Sequence, residues 1–209
     1  MVQQGVEVAE PRYRRRKEDR PQEIAQAAFE LFAEKGFAAT RVEEVAKRAG
    51  VSKGLTYLYF ETKADLFRAV VESVVIPRVE ALGESVRTSE LSGEDFLRGP
   101  MADFLKALPG SPVSAVVRVV IAEGPRYPEL VEFYWQNVIN PGMTAIRAVM
   151  QRGVDEGTFR ASAVTRLPQL VMAPAMMSVI WKLLLPTKEL DSDELIDTQI
   201  DLILKELKP

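Results

Sequence analysis

Between residues 19 and 65 this chain repeats one local signal, a capping side chain set just ahead of an apolar helical period. Asp19 with Gln22, Thr40 with Glu43, and Thr62 with Asp65 each have capping-box spacing, and Ser52 stands alone after a glycine. Such a succession commits the segment to short helices divided by tight turns, and no alternation of apolar and polar residues offers a strand. From Pro21 the positions Ile24, Ala28, Leu31 and Phe32 lie on one helical face until Gly36 stops it. A second, short helix opens at Thr40 and buries Val42, Val45, Ala46 and Ala49. Gly50 breaks it, and Ser52 caps a third that runs to about Phe60. The fourth buries Leu66, Phe67, Val70 and Val74.

Beyond this point the helices lengthen. Ser92 to Leu108 is one, ended by "PGSP", and Val113 to Glu123 is the next, stopped by "EGPRYP". Pro128 suits the first turn of a helix running toward Gly157, which "NPG" at 140–142 should kink or split. Thr165 to Leu185 is strongly apolar, and Asp191 with Glu194 caps a last helix lined by Ile196, Ile200, Ile203, Leu204 and Leu207. The expected fold is all-α. A helix-turn-helix head of three helices (20–68) is joined by the fourth helix to a larger helical body (69–209), and residues 1–19 form a basic N-terminal arm. Pro77 either ends the joining helix or bends it.

Composition narrows the chemistry. The chain has 209 residues with no cysteine and no histidine. That removes disulfides, thiolate metal sites, thiol nucleophiles and the usual proton carrier near neutral pH, and it agrees with a reducing cytoplasm. No enzyme activity, metal or cofactor is expected. The acids of "KELDSDELID" fit the first turn of the last helix, where negative charge suits the helix dipole. The opening residues lack a signal peptide's apolar run. The longest uncharged apolar stretch, Leu167 to Trp181, is short of the roughly 20 residues of a membrane span. No membrane partner is expected. The net charge of −3 is uneven: residues 11–68 hold 13 Lys/Arg against 9 Asp/Glu, and residues 69–209 hold 14 against 19. A basic front on an acidic body suits a polyanion at one end.

Two helices joined by a glycine turn, the second capped by serine, describe a helix-turn-helix. Projected down the third helix, Ser52, Thr56 and Tyr59 share one arc, while Lys53, Gly54, Tyr57 and Leu58 fall on the opposite one. If the first arc packs inward, the second offers a cation, a phenol, a close backbone approach and an apolar tip. Those groups suit the major groove of double-stranded DNA, with Lys53 on guanine edges or phosphate and Leu58 on a thymine methyl. Tyr59 and Lys63 are placed for phosphates.

The stretch "TRVEEVAKRAGVSKGLTYLYFETKADLF", residues 40–67, resembles the DNA-binding signature of the TetR family of bacterial transcriptional regulators. The likeness extends back through "IAQAAFELFAEKGFAAT" and covers residues 20 to 75. It implies that Thr40, Ser52, Tyr59 and Lys63 contact phosphates, and that Lys53, Gly54, Leu55, Tyr57 and Leu58 reach bases or adjacent backbone. Where many members carry Thr then Leu, this chain has Leu55 then Thr56. The resemblance also implies a body that binds a small molecule and dimerises, with ligand binding altering the spacing of two heads, and most simply a ligand-responsive repressor. The arm "RYRRRKEDR" can enter a neighbouring minor groove, or serve as a disordered, solubilising tail.

In the body, Leu167, Leu170, Pro174, Met177 and Trp181 are more apolar than one monomer face needs. With Ile196, Ile200, Ile203 and Leu207 of the last helix they form the expected homodimer interface, a four-helix bundle. Met101, Phe104, Tyr134, Trp135, Met143, Met172 and Met176 are the soft and aromatic candidates for a small apolar effector, and each also fits a plain core. Arg118 interrupts "SAVVRVVIAEG" and either meets a ligand carboxylate or pairs with an acid such as Glu123. The competing reading of the whole is a helical small-molecule carrier or adaptor that uses the head as a protein contact. Salt separates the two, because binding through several phosphates weakens steeply as salt rises.

Overall fold

The computed structural model describes residues 20–209, in which helices alone form the regular structure. The basic arm and the expected Asp19 cap lie outside the described residues. Contacts divide the chain into two compact units at Val70/Val71.

The first unit contains α1 (Arg20–Lys35), α2 (Val42–Arg48), α3 (Lys53–Tyr59) and the start of α4 (Lys63–Val74). Ile24, Ala28, Leu31 and Phe32 are buried along α1, and Val42, Val45 and Ala46 along α2. Phe37, in the α1–α2 loop, stands with its ring 5.2 Å from Phe32 and edge-on to Phe67 at 6.1 Å. Both turns need glycine: Gly36 and Gly50 have φ of 85° and 66°, a region that side chains with a Cβ avoid. Ser52 Oγ accepts from Leu55 N at 3.1 Å, and Thr62 with Asp65 closes a reciprocal box in which Thr62 N donates to Asp65 at 2.9 Å.

The second helix begins one residue later than its sequence suggests. Arg41 occupies the cap position and its N–H donates to Glu44 Oε2 at 2.9 Å. Thr40 is drawn inward instead, its hydroxyl donating to Gly36 O at 2.8 Å, with Leu31 O at 3.3 Å.

In the second unit, α4 ends at Val74 and α5 (Ile76–Thr88) begins, with Pro77 in its first turn. The proline therefore starts a new helix and does not bend a continuous one. α6 (Gly93–Gly110) is capped by Ser92, α7 spans Val113–Glu123, and α8 (Pro128–Tyr134) runs through a π-helical turn, Trp135–Ile139, into α9 (Asn140–Asp155). A short α10 (Ala163–Arg166) precedes α11 (Gln169–Leu184) and α12 (Ser192–Leu207). α5 packs along α9, α11 along α12, and α6 against both α11 and α12.

Two prolines are accommodated at widened turns. Pro141 follows the π turn Trp135–Ile139, and Pro100 sits inside another, Leu97–Met101. A widened turn takes up a ring that would collide with the carbonyl four residues back, so neither helix breaks. Asn137 Nδ2 donates to Phe133 O at 2.8 Å within the widened turn. Pro168, by contrast, does interrupt the apolar run begun at Thr165, and α11 starts only at Gln169.

Candidate functional site

The outward side of α3 is the first candidate. Thr56 is wholly buried, its hydroxyl on Ser52 O at 3.3 Å, and it turns the opposite arc to solvent. Ser52, Lys53, Gly54, Tyr57 and Leu58 are exposed, Leu58 by 76%, while Leu55 and Tyr59 are half-buried. Lys53 Nζ lies 2.6 Å from Glu43 of α2 and 5.7 Å from the Tyr57 ring centre, so the cation is held at the junction of the two helices. Their hydrogen bond lowers the Glu43 carboxyl and raises the Lys53 ammonium relative to their ordinary pKa values. Both stay charged, and an incoming phosphate would compete with Glu43 for the ammonium.

Gly54 is the informative residue on this ridge. Its φ is not positive, and a Cβ built on it meets nothing within 4 Å. Neither the backbone nor the packing of the chain asks for glycine here, yet glycine in a helix costs about 1 kcal/mol relative to alanine. The position is open to solvent on the exposed side of α3. Gly54→Ala should raise head stability by about 0.5–1 kcal/mol in a urea melt. The same substitution should weaken DNA binding, read by fluorescence anisotropy, by about tenfold; unchanged affinity would remove the close-approach role.

Two residues expected to contact phosphates have their side chains engaged within the head. Thr40 is 2% exposed and its hydroxyl hydrogen is engaged by the backbone carbonyls of α1 and the turn, leaving no side-chain donor facing out. Lys63 directs its ammonium into the α1–α2 loop, donating to Phe37 O, Ala38 O and Thr40 O at 2.8, 3.1 and 3.2 Å, with the Phe37 ring centre at 4.5 Å. An ammonium has three N–H donors, and three carbonyls take them. Lys63 thus ties the loop to the first turn of α4. Lys63→Met keeps the stem but loses these bonds and should destabilise the protein by about 2 kcal/mol in a denaturant melt; a lysine serving only phosphate would leave stability unchanged.

The second candidate is a cavity of about 290 Å³ inside the body. Phe104, Tyr134, Met143, Met172 and Met176 line it as expected, joined by valines of α7 and by Arg78 of α5. The remaining expected residues lie elsewhere. Met101 is wholly buried in the core, Trp135 is 46% exposed beyond the lining, and the half-buried Arg118 is also outside it. Tyr134 is buried on the cavity side, and Trp135, a step of about 100° further round the helix, falls on the exposed side. Burial pushes the Tyr134 phenol up to about 12, so it remains a neutral hydrogen-bond donor. Arg78 was not foreseen, because its place beside the α4–α5 break is visible only in the folded chain.

The third candidate is an exposed apolar face on α11 and α12. Leu167, Leu170 and Met177 are exposed, with Leu184 and Leu202 beside them in kind, and Trp181 is half-buried. Gln199 Nε2 donates to Leu170 O at 3.2 Å, so the two helices' outer faces adjoin. Pro174, Ile196, Ile200, Ile203 and Leu207, expected in an interface, are instead buried within the monomer. The wide apolar stripe of α12 points at α6 and α11 because those helices flank it. No group of histidine, cysteine, aspartate or glutamate suited to a metal is found among the described residues. No single described helix is long and apolar enough to cross a membrane.

The comparisons with known proteins agree with this arrangement. The family model described as "Bacterial regulatory proteins, tetR family" matches residues 24–70, and "Tetracyclin repressor-like, C-terminal domain" matches residues 94–199. The HTH-type transcriptional regulator YdeS of Bacillus subtilis is 28% identical over 151 residues, 71% of this chain and 72% of that protein. The first of the curated relatives are matched over only 28% and 33% of their own length. A TetR transcription regulator from Haloarcula marismortui superposes with a TM-score of 0.76 at 20% identity, covering 92% of this chain and 100% of that one. The transcriptional regulator FadR from Bacillus subtilis, solved in complex with stearoyl-CoA, gives 0.72 at 19%, covering 89% and 98%. With both halves matched, head and body, this chain belongs to the TetR family of helix-turn-helix transcriptional regulators.

Proposed function

We propose that the protein is a dimeric repressor whose α3 ridge reads a DNA operator and whose body cavity takes a small apolar effector that shifts the dimer off DNA. The observation that carries the DNA reading is Gly54, an exposed helical glycine that nothing inside the chain requires, flanked by Lys53, Tyr57 and Leu58. Such a ridge lets backbone approach a groove while the flanking side chains reach base edges and phosphates. Tyr59 and Ser52, at the margin of the ridge, contact phosphates in this reading.

Dimerisation is supported by the exposed leucines and methionine of α11 and α12, since a lone head would read one half-site. The effector reading is supported by the apolar cavity and by FadR, which shares the fold and was solved in complex with stearoyl-CoA. An effector shifts the equilibrium only through its preference for one of two states, here the one whose heads do not match the operator.

Selection of bound sequences from a random DNA pool tests the reading. It should enrich a pseudo-palindrome whose half-sites lie about 34–36 Å apart or a multiple of that. Failure to enrich any sequence, with weak binding indifferent to salt, would favour the carrier or adaptor instead.

A further inference from the structure

The cavity has one charged residue on its rim, and its situation says what kind of molecule belongs there. Arg78 is exposed and donates to Val74 O, a neutral carbonyl at the end of α4; among the described residues its guanidinium forms no ion pair. A guanidinium carries five N–H donors in a planar fork that fits carboxylates and phosphates. Arg78 also borders a second, more open depression of about 330 Å³, and Phe104 and Leu108 line both spaces with it. The arginine therefore stands where an apolar interior meets an open mouth.

We propose that the effector is an acidic amphipath, its apolar body in the cavity and its carboxylate or phosphate head on Arg78 at the shared rim. This deepens the effector reading above and rests on it. The orientation follows from solvation. Deep in the cavity the polar group on offer is the neutral hydroxyl of Tyr134, and an unpaired anion in apolar surroundings neutralises before it settles. At the rim the head keeps part of its water and gains a planar, charge-assisted partner. A neutral chain gains the cavity but not the arginine, and a cationic one meets a like charge.

Isothermal titration of the full chain without DNA decides the matter, and so does not depend on any operator being found. The probes are decanoate, decyl phosphate, decanol and decyltrimethylammonium. The expected result is binding of at least one acidic chain ten times or more tighter than decanol, with the ammonium weakest. Decanoate ahead of decyl phosphate assigns a carboxylate head, and the reverse order a phosphate head. Arg78→Gln should erase the acid-over-alcohol advantage while leaving decanol binding unchanged. Arg78→Lys keeps the charge but not the planar fork and should give an advantage between those of the unaltered protein and Arg78→Gln. Equal binding of acid and alcohol by the unaltered protein, an equal loss for both in Arg78→Gln, or failure of both acids to bind would each overturn the proposal.

Discussion

Met177→Glu is expected to leave the protein folded, convert it to a monomer in sedimentation velocity, and lower operator affinity by about a hundredfold or more. Met177 is 47% exposed, so a carboxylate placed there can reach solvent in the single chain. It lies along α11 between Leu170 and Leu184, on the face beside α12 that also presents Leu202. In a two-fold interface every residue occurs twice, so one substitution desolvates two carboxylates in an apolar seam. The affinity follows from geometry. Two linked heads make the second half-site an intramolecular contact, and an unlinked head forfeits that gain. A dimer that survives the substitution would place the interface elsewhere.

Gly93→Ala should destabilise the body strongly. Gly93 opens α6 against α9, and a Cβ there would stand 2.8 Å from both Cα and N of Gly153 and 3.1 Å from Val149 O. Those atoms are backbone and cannot swing aside. The junction is also pinned by polar bonds: Gly93 N donates to Glu156 at 3.0 Å, and Arg152 donates to Ser89 O at 3.2 Å and Leu91 O at 3.0 Å, with Val86 O a further acceptor. Separating the helices would stretch all of them. Overpacking of this kind costs about 3 kcal/mol, which for a chain this long lowers Tm by about 6–12 °C. Gly142→Ala is the matched control. Its Cβ meets nothing within 4 Å and projects beside the cavity, so stability should hold or rise slightly. Equal losses from the two substitutions would remove the close-contact explanation.

How far the sequence reveals this molecule depends on the range of the interaction. Signals that act within one turn were legible: Ser52, Thr62 with Asp65, Ser92 and Asp191 cap the helices they precede, and α7 spans the expected Val113–Glu123. The outward arc of α3 was legible for the same reason, since helical periodicity fixes which side chains oppose the buried Thr56. What escaped depends on distant partners. Thr40 looked like a cap until Leu31 O and Gly36 O claimed its hydroxyl, and Lys63 looked like a phosphate ligand until three loop carbonyls claimed its ammonium. The stripe of α12 announces that it is buried but not by what, so Ile196 and Ile200 read as interface residues although α6 and α11 cover them. The pairing of Gly93 with Gly153, and Arg78 beside the cavity, are products of tertiary packing that no local pattern encodes.

The most direct test of the central claim is a titration of selected operator and scrambled duplex at several salt concentrations, with the unaltered protein and Tyr57→Ala. Tyr57 is exposed on the ridge, and its ring takes no part in the core. For both proteins, log affinity should fall with log salt at about −0.9 per phosphate neutralised, because the phosphate contacts remain. Only the preference for operator over scrambled DNA should collapse in Tyr57→Ala. An undiminished preference would mean that the sequence is read by some surface other than α3.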